Sequence, residues 1–549
     1  MRSFSHDSGG NILMAGSGWK SEHKNNKHMK KYLVVILSMV ALAGCRKFVD
    51  VNENPNTPTS TRPEFVFSNA VNQSASYIAG GPHALGSTWS GMLSHSTSFT
   101  GGGEEKTYAF TSANFNFFDA AYDNLNDYQY VINNGAAGGK AHLVGPSKVM
   151  QALIFQKLVD FYGNVPYSQA LQGTAFITPV YDNAQTIYED LIRKLDEAIA
   201  DIKANPFPIS EPADITFASH GGPTGGTKWI QFANTVKMRI LMRQSFMSGR
   251  SAYITAEINK IVAENSGLIT YNILSNPGYT KSPGKLNQFY GTYGYTENDV
   301  ETGTFRFRKM NAVIINWLKN SNDIFRLRRL ATPKVGGDPS NPGDYLGVPL
   351  GPCGALNIYL ETLVSSVGSE QVVKGDATRP MIIMTAAEAY FLKAEAAQRY
   401  GISAWGGGQV SNAQQSYEAG VRWAFRLAAA THTSTATATD AQADAAANSY
   451  LASGTVNADW AASPDKIKAI LVQKWTALTN IDGSEAWAEY RKSNTPTDPG
   501  AAPYSVKSCV SGSTPEPVRL YYPLREENVN QANVQQPNVF TQRIFWDVQ

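Results

Sequence analysis

Between positions 186 and 202 the apolar residues Ile187, Leu191, Leu195, Ala198, Ile199 and Ile202 recur three or four positions apart. That spacing gathers them on one face of an α-helix and does not fit a strand, whose side chains alternate with period two. The same period predicts helices over 149–161, 228–245, 385–400 and 465–478. In the third of these Ala387, Tyr390, Phe391, Ala394 and Ala397 share a face, and Gly401 is placed to stop the helix. In the last, Ile467, Ile470, Leu471, Trp475 and Leu478 do the same. With 42% hydrophobic residues the chain has enough apolar material for a globular body. It therefore reads as mainly α.

The N-terminal region is of a different kind. Lys30 and Lys31 precede an apolar run from Tyr32 to Ala43, which ends in Leu42, Ala43, Gly44 and Cys45. A basic start, an apolar centre and a small-residue cleavage site make a signal peptide. The apolar run is shorter than the roughly 17–25 residues a membrane-crossing helix needs. A Cys directly after Leu-Ala-Gly resembles the bacterial lipobox, in which that Cys is acylated, so Cys45 is the expected lipid anchor. Residues 29–44 are then the signal peptide, and residues 1–28 read as an over-early start before Met29. Residues 45–62, rich in Asn, Pro and Thr, read as an extended tether.

Charge excludes some partners. Six of the Lys and Arg residues, but only two acids, lie before Cys45, so the formal +2 of the whole sequence becomes slightly negative after cleavage. No basic stripe is present for nucleic acid, and no polybasic patch for a membrane surface. Past Cys45 only Cys353 and Cys509 remain. They are read as two unpaired thiols, with a single disulfide as the alternative. No Cys/His cluster suggests a metal, and no cofactor is expected.

The segments between the helices are long. Residues 276–301 hold several Gly and Tyr, 331–354 are rich in Pro and Gly, 431–449 form an Ala/Thr/Asp run that reads as a mobile or locally helical insertion, and 498–517 are again rich in Pro, Gly and Ser. Loops of this length in a folded body often carry function.

A search for catalytic patterns yields little. The stretch from Gly221 to Lys228 looks like a phosphate loop, but Thr227 separates Gly226 from the Lys and no apolar strand leads in. It reads as a Gly-rich loop before a helix. No zinc helix of the HExxH type and no GxSxG elbow occurs. His83, His95, His142, His220 and His432 are scattered and read as exposed or hydrogen-bonded. Glu388 and Glu395, and likewise Glu485 and Glu489, read as a solvated helix face or as structural ion pairs, since glycosidase carboxylates must flank a cleft.

Several segments, taken in order, resemble the SusD/RagB family of outer-membrane lipoproteins. Phe48, Asp50 and the Asn54-Pro55 step follow the lipobox. Asp160-Phe161-Tyr162-Gly163-Asn164-Val165-Pro166-Tyr167 is similar to the family's turn after an early helix, with Asn164 where many members have Asp. Lys228-Trp229 opens a helix. Ala386 to Ala397 is close to the family's most recognisable helix, and Gln473-Lys474-Trp475 and Glu485-Ala486-Trp487 match its late ones, nearest to the SusD-like 2 subgroup. The resemblance implies one SusD-like body over 63–549, built on tetratricopeptide-like helix pairs with long irregular loops. It implies a nutrient-binding protein, not an enzyme, that captures an oligosaccharide or peptide and passes it to a SusC-like TonB-dependent transporter. A surface glycoside hydrolase or other hydrolase on the same scaffold is the alternative.

Sugar capture favours aromatic faces beside orienting polar groups. Tyr290, Tyr293 and Tyr295, interleaved with Gly and Thr, are the first candidates. Trp89, between small residues, and Trp405, before three glycines, are the others. Trp229, Trp423, Trp475 and Trp487 lie on helix faces and are assigned to the core.

Overall fold

The thirteen principal helices, in chain order, are α1 (Pro63–Ala79), α2 (Gly81–Trp89), α3 (Phe118–Asn134), α4 (Val144–Tyr162), α5 (Ala184–Ala204), α6 (Pro223–Arg243), α7 (Ser251–Glu264), α8 (Ala312–Asn320), α9 (Ala386–Tyr400), α10 (Ala413–Leu427), α11 (Asp440–Leu451), α12 (Lys466–Leu478) and α13 (Gly483–Ser493). This computed structural model describes residues 61–217, 223–354, 356–429, 437–495 and 506–548. The expected anchor Cys45, the expected leader and most of the expected tether lie outside the described residues, as do His220 and His432. Residues from Arg62 onward form one compact unit.

Helix α5 shows why the periodicity was informative. Asn183 caps it by accepting hydrogen bonds from the backbone N–H of Gln185 and Thr186. The six apolar residues expected on one face are all buried. Each such Leu or Ile contributes about 1.5–3 kcal/mol through burial, enough together to fix the helix against its neighbours. Helices α3 to α6 run as an antiparallel series. Phe118 meets Tyr162 at one end of the α3–α4 pair, Tyr188 of α5 reaches Asp160 of α4, and Lys237 of α6 reaches Asp196 of α5. Helix α1 packs on α3, and α6 contacts α9 of the second group, where α9 packs on α10 and α12, and α12 on α13. These are the helix pairs expected from the resemblance.

The sheets are small. Strand β1 (Leu93–His95) pairs antiparallel with β5 (Arg308–Met310), β2 (Val165–Pro166) with β3 (Tyr181–Asp182), and β4 (Ile273–Ser275) with β6 (Met381–Met384). Each ties a loop to the helical body.

One crossing is unusually close. Gly86 of α2 and Gly483 of α13 face each other, and a methyl group on either would overlap backbone atoms of the other helix. His83, one turn earlier on α2, accepts a hydrogen bond at Nδ1 from the Gly483 N–H at 3.1 Å. Burial lowers the pKa of this imidazole to about 4.

Three expectations change. The Gly-rich stretch is not a loop up to Lys228: α6 already begins at Pro223, so Gly225, Gly226 and Thr227 lie in its first turns. The Ala/Thr/Asp run, by contrast, holds the local helix that was one of its two readings: α11, started by a Thr439–Gln442 capping box and packed through Ala443, Ala447 and Tyr450. Cys353 and Cys509 are not free thiols. They form a disulfide with Cα atoms 6.2 Å apart across 156 residues of chain, a pairing that no local pattern encodes. The acids of α9 and α13 do not lie on a solvated face. Glu388, Glu395, Glu485 and Glu489 are all buried, and ion pairing, the other reading, is what holds them.

Their partners come from α6, α12 and α13, and for Glu395 also from α9 itself, where Arg399 lies 3.0 Å away. Arg239 donates two hydrogen bonds to Glu388, both at 2.7 Å. Arg243 reaches Glu485 and Glu489 at 2.5 Å each. Lys474 lies 3.1 Å from Glu485 and 3.2 Å from Glu489, and Lys492 lies 2.8 Å from Glu489 and 3.1 Å from Glu395. Burial alone would raise the Glu485 carboxyl, but Arg243, Lys474 and Arg239 outweigh it and hold it well below the usual carboxylate range. This cluster is scaffold: its acids face cations inside the helix packing and border no cleft described below.

Candidate functional site

The aromatic residues singled out from sequence are packing residues. Tyr290 and Tyr293 sit on a short helix, Gln288–Tyr293, capped by Asn287. Both are buried, as is Tyr295. His83 is wedged against Phe289 and Tyr293 with ring centroids 5.2 Å away in each case. The Tyr290 hydroxyl accepts from the Gly375 N–H at 3.3 Å, and the Tyr293 hydroxyl donates to the Gly80 carbonyl at 3.3 Å. Trp89 is enclosed by Tyr108, Phe110, Phe115 and Trp487, and its indole N–H donates to the Glu105 carbonyl. Trp405 is fully buried and donates to Ser411 Oγ at 3.0 Å. None of the five offers an open ring face, so the expectation of a stacking platform at these positions is corrected. Of the five, Tyr295 lines a cleft. Trp229, Trp475 and Trp487 are core as expected, and Trp423 is partly buried.

That cleft has a volume of about 370 Å³. Its walls are residues around 301–309, just past the long segment 276–301, and residues 332–339 of the long segment 331–354, together with Glu361, Thr362, Val364 and Ser366. Local rules explain its shape. Thr302 caps the turn Gly303–Phe307 by accepting from the Phe305 N–H. This sends Arg306 outward and feeds the chain into β5. The opposite wall is held by backbone hydrogen bonds from the Thr332 N–H to Ser366 and from the Val335 N–H to Thr362, and Lys334 pairs with Asp344 at 2.7 Å.

At the rim Arg306 donates two hydrogen bonds to Glu361, at 3.0 and 2.8 Å. Arg306 raises its own hold on its proton by this pairing and lowers the Glu361 carboxyl. The guanidinium also lies 5.6 Å from the Phe99 ring centroid, and Phe99 meets Phe307 edge to face. Both phenyl rings are partly exposed. The base of the cleft holds Lys309, only 3% exposed. Behind it, Arg308 grips Glu105 and His95. Burial would raise the Glu105 carboxyl, but Arg308 and His95 hold it below its ordinary value.

The sequence reading missed Arg306, Lys309, Glu361 and Phe99. A signal existed in the run Thr302 to Met310, where Phe305, Phe307, Arg306 and Arg308 alternate, but Glu361 is joined to it only by the fold. Two further clefts, of about 480 and 550 Å³, lie beside α3 and between α4 and α5. The second is lined by Asp190 and Arg193, already paired at 2.5 Å. Among the described residues no group of three or more His, Cys, Asp or Glu is arranged to hold a metal ion, and no helix is long and apolar enough to cross a membrane.

Comparison with known proteins places the chain. It matches the family described as SusD-like 2, starch-binding associating with outer membrane, over residues 55–523. In fold it is similar to a SusD homolog from Bacteroides uniformis, at 22% identity over 88% of this chain and 100% of that one, with a TM-score of 0.66. A chitin-binding SusD homolog from Flavobacterium johnsoniae gives the same identity and TM-score over 88% and 98% of the two chains. A SusD/RagB family protein from Bacteroides thetaiotaomicron gives 20% identity, 89% and 99% coverage, and a TM-score of 0.67. No curated protein matches the chain by sequence. The family match spans most of the helical body and agrees with its helix-pair architecture; the chain belongs to the SusD-like family of starch-binding, outer-membrane-associated proteins.

Proposed function

We propose that this protein is a cell-surface lipoprotein that captures an oligosaccharide in the 370 Å³ cleft and delivers it unaltered to a SusC-like TonB-dependent transporter. The cleft is the observation that supports this reading. It combines the apolar side chains of Phe305, Val335 and Val364 with a paired Arg306 and Glu361, the hydroxyls of Thr332 and Thr362, and loop backbone. Sugars are held by such a mixture of apolar faces and fixed polar groups. The chitin-binding relative agrees with a saccharide in preference to a peptide.

Calorimetry of the purified protein against a glycan panel, with peptides as the contrasting class, tests the reading. The variant Arg306→Ala with Glu361→Ala is expected to bind the best glycan about tenfold more weakly, the scale of one or two lost hydrogen bonds. Its folding is expected to hold, because solvent screens the pair it removes. Unchanged glycan affinity in that variant, or binding of peptides alone, would overturn the assignment.

Anchoring is tested separately. Cys45→Ser is expected to move the protein from the membrane fraction to the soluble one, since acyl chains supply about 0.8 kcal/mol per buried CH₂. Retention of the variant in membranes would rule out acylation at Cys45.

A further inference from the structure

Lys309 stands on β5 with its ammonium at the base of the cleft. Most buried lysines in this protein meet a carboxylate: Lys157 meets Asp482, Lys237 meets Glu257, Lys474 meets Glu485, and Lys492 meets Glu395. Lys309 does not. Among the described residues its Nζ has the Ser366 hydroxyl oxygen at 2.5 Å and the Phe305 ring centroid at 5.5 Å, and no carboxylate within 4.0 Å. Lys393 likewise meets only a neutral oxygen, that of Gln409, but it sits in the scaffold and lines none of the clefts described above.

A buried ammonium without a counter-charge is costly. One hydroxyl leaves two of its three N–H donors to be satisfied from the cleft side. Arg306 cannot help, being a cation already committed to Glu361, and Lys334 is committed to Asp344. Glu301 lines the cleft but is exposed at its mouth. What the base of the cleft lacks is an anion.

We propose that the sugar unit seated in the cleft carries a negatively charged oxygen group, a carboxylate or a sulfate ester, which pairs with Lys309. This rests on the capture reading above and narrows its ligand class from oligosaccharides in general to acidic ones. A charge-assisted hydrogen bond from a desolvated ammonium is stronger than a neutral one, so a neutral sugar would leave the lysine uncompensated and bind less well.

The experiment compares three probes on the purified protein: an oligogalacturonide, which carries carboxylates only; a carrageenan oligosaccharide, which carries sulfates only; and a chitooligosaccharide, which is neutral. At least one anionic probe is expected to bind more tightly than the neutral one, and which of the two does so identifies the group. Lys309→Met keeps the length and apolar character of the stem. It is expected to weaken the preferred anionic probe about tenfold or more relative to the neutral one. Lys309→Arg should keep the preference.

A test on the unsubstituted protein needs no variant to fold. Burial lowers the Lys309 pKa to about 8, opposed by Glu301 and Glu361 and helped by Arg306. Anionic affinity should therefore fall between pH 7 and 9, where those carboxylates and guanidinium keep their charge. If the chitooligosaccharide binds as tightly as both anionic probes, or the affinity of the preferred anionic probe is flat over that pH range, the inference is overturned. Should Arg306→Ala weaken binding while Lys309→Met does not, capture in the cleft stands and the acidic ligand falls. Should neither matter, the cleft itself is the wrong site.

Discussion

Arg243→Met is expected to destabilise the protein by about 3–5 kcal/mol, the scale for breaking a buried charge network from one side. Arg243 is fully buried and holds Glu485 and Glu489, with Asp160 Oδ2 3.7 Å from its Nε. Its loss strands two carboxylates that Lys474 and Lys492 only partly neutralise. The Arg306–Glu361 pair has similar geometry, yet it stands in solvent, where screening removes most of its effect. Burial decides which pair matters. Urea unfolding of the two variants side by side checks this. Equal midpoints for Arg243→Met and the unsubstituted protein would mean the glutamates find water or a proton at no cost.

The same cluster sets the response to acid. Glu485 and Glu489 are held below their ordinary pKa, and Glu395 at about 2, because the surrounding lysines and arginines outweigh burial. A carboxylate whose folded pKa is depressed contributes stability above its unfolded value, near 4.5, and loses it as pH falls toward the folded value. Asp160, raised by burial, acts in the opposite sense. The three glutamates outnumber it, so stability should fall steeply between about pH 4.5 and 2. A flat profile over that window would contradict the ionised cluster.

Removing the disulfide is the second large effect. Cys353→Ser with Cys509→Ser is expected to cost about 2–5 kcal/mol, since the bridge closes a loop of 156 residues and limits the unfolded chain accordingly. It also fastens 506–510 to the segment after 331–350, where the Cys509 N–H donates to the Leu350 carbonyl at 3.1 Å. That segment continues into the cleft wall, so glycan affinity should fall on reduction as well. Unfolding followed with and without a reducing agent is the check, and an unmoved midpoint would show that the bridge constrains nothing.

Local periodicity made the scaffold readable. The α5 face and the α9 stop at Gly401 follow from spacing and cap chemistry alone, and the structure places both as read. The buried acids defeated that logic. Glu388 and Glu395 look solvent-facing by type, and only the arrival of Arg239 from α6 and Lys492 from α13 makes their burial tolerable. The aromatic loop failed for a related reason. Gly and Tyr in alternation suggest an open surface, but Asn287 is a helix cap, and Phe289 and Tyr293 are one helical turn apart, which signals packing. The cleft was the least legible part. Arg306 and Glu361 are 55 positions apart, and no short-range rule joins them.

The Gly86–Gly483 crossing also dictates an order of assembly. One side of α2 has no partner until nearly nine-tenths of the chain has been made. A ribosome-bound chain ending before position 483 must leave that surface open, so the native state cannot form piecemeal from its beginning. Such a polypeptide stays unfinished, and hence threadable through a translocation channel, until its last helices emerge. Protease protection of stalled chains of increasing length should therefore appear abruptly near the end and not accumulate step by step.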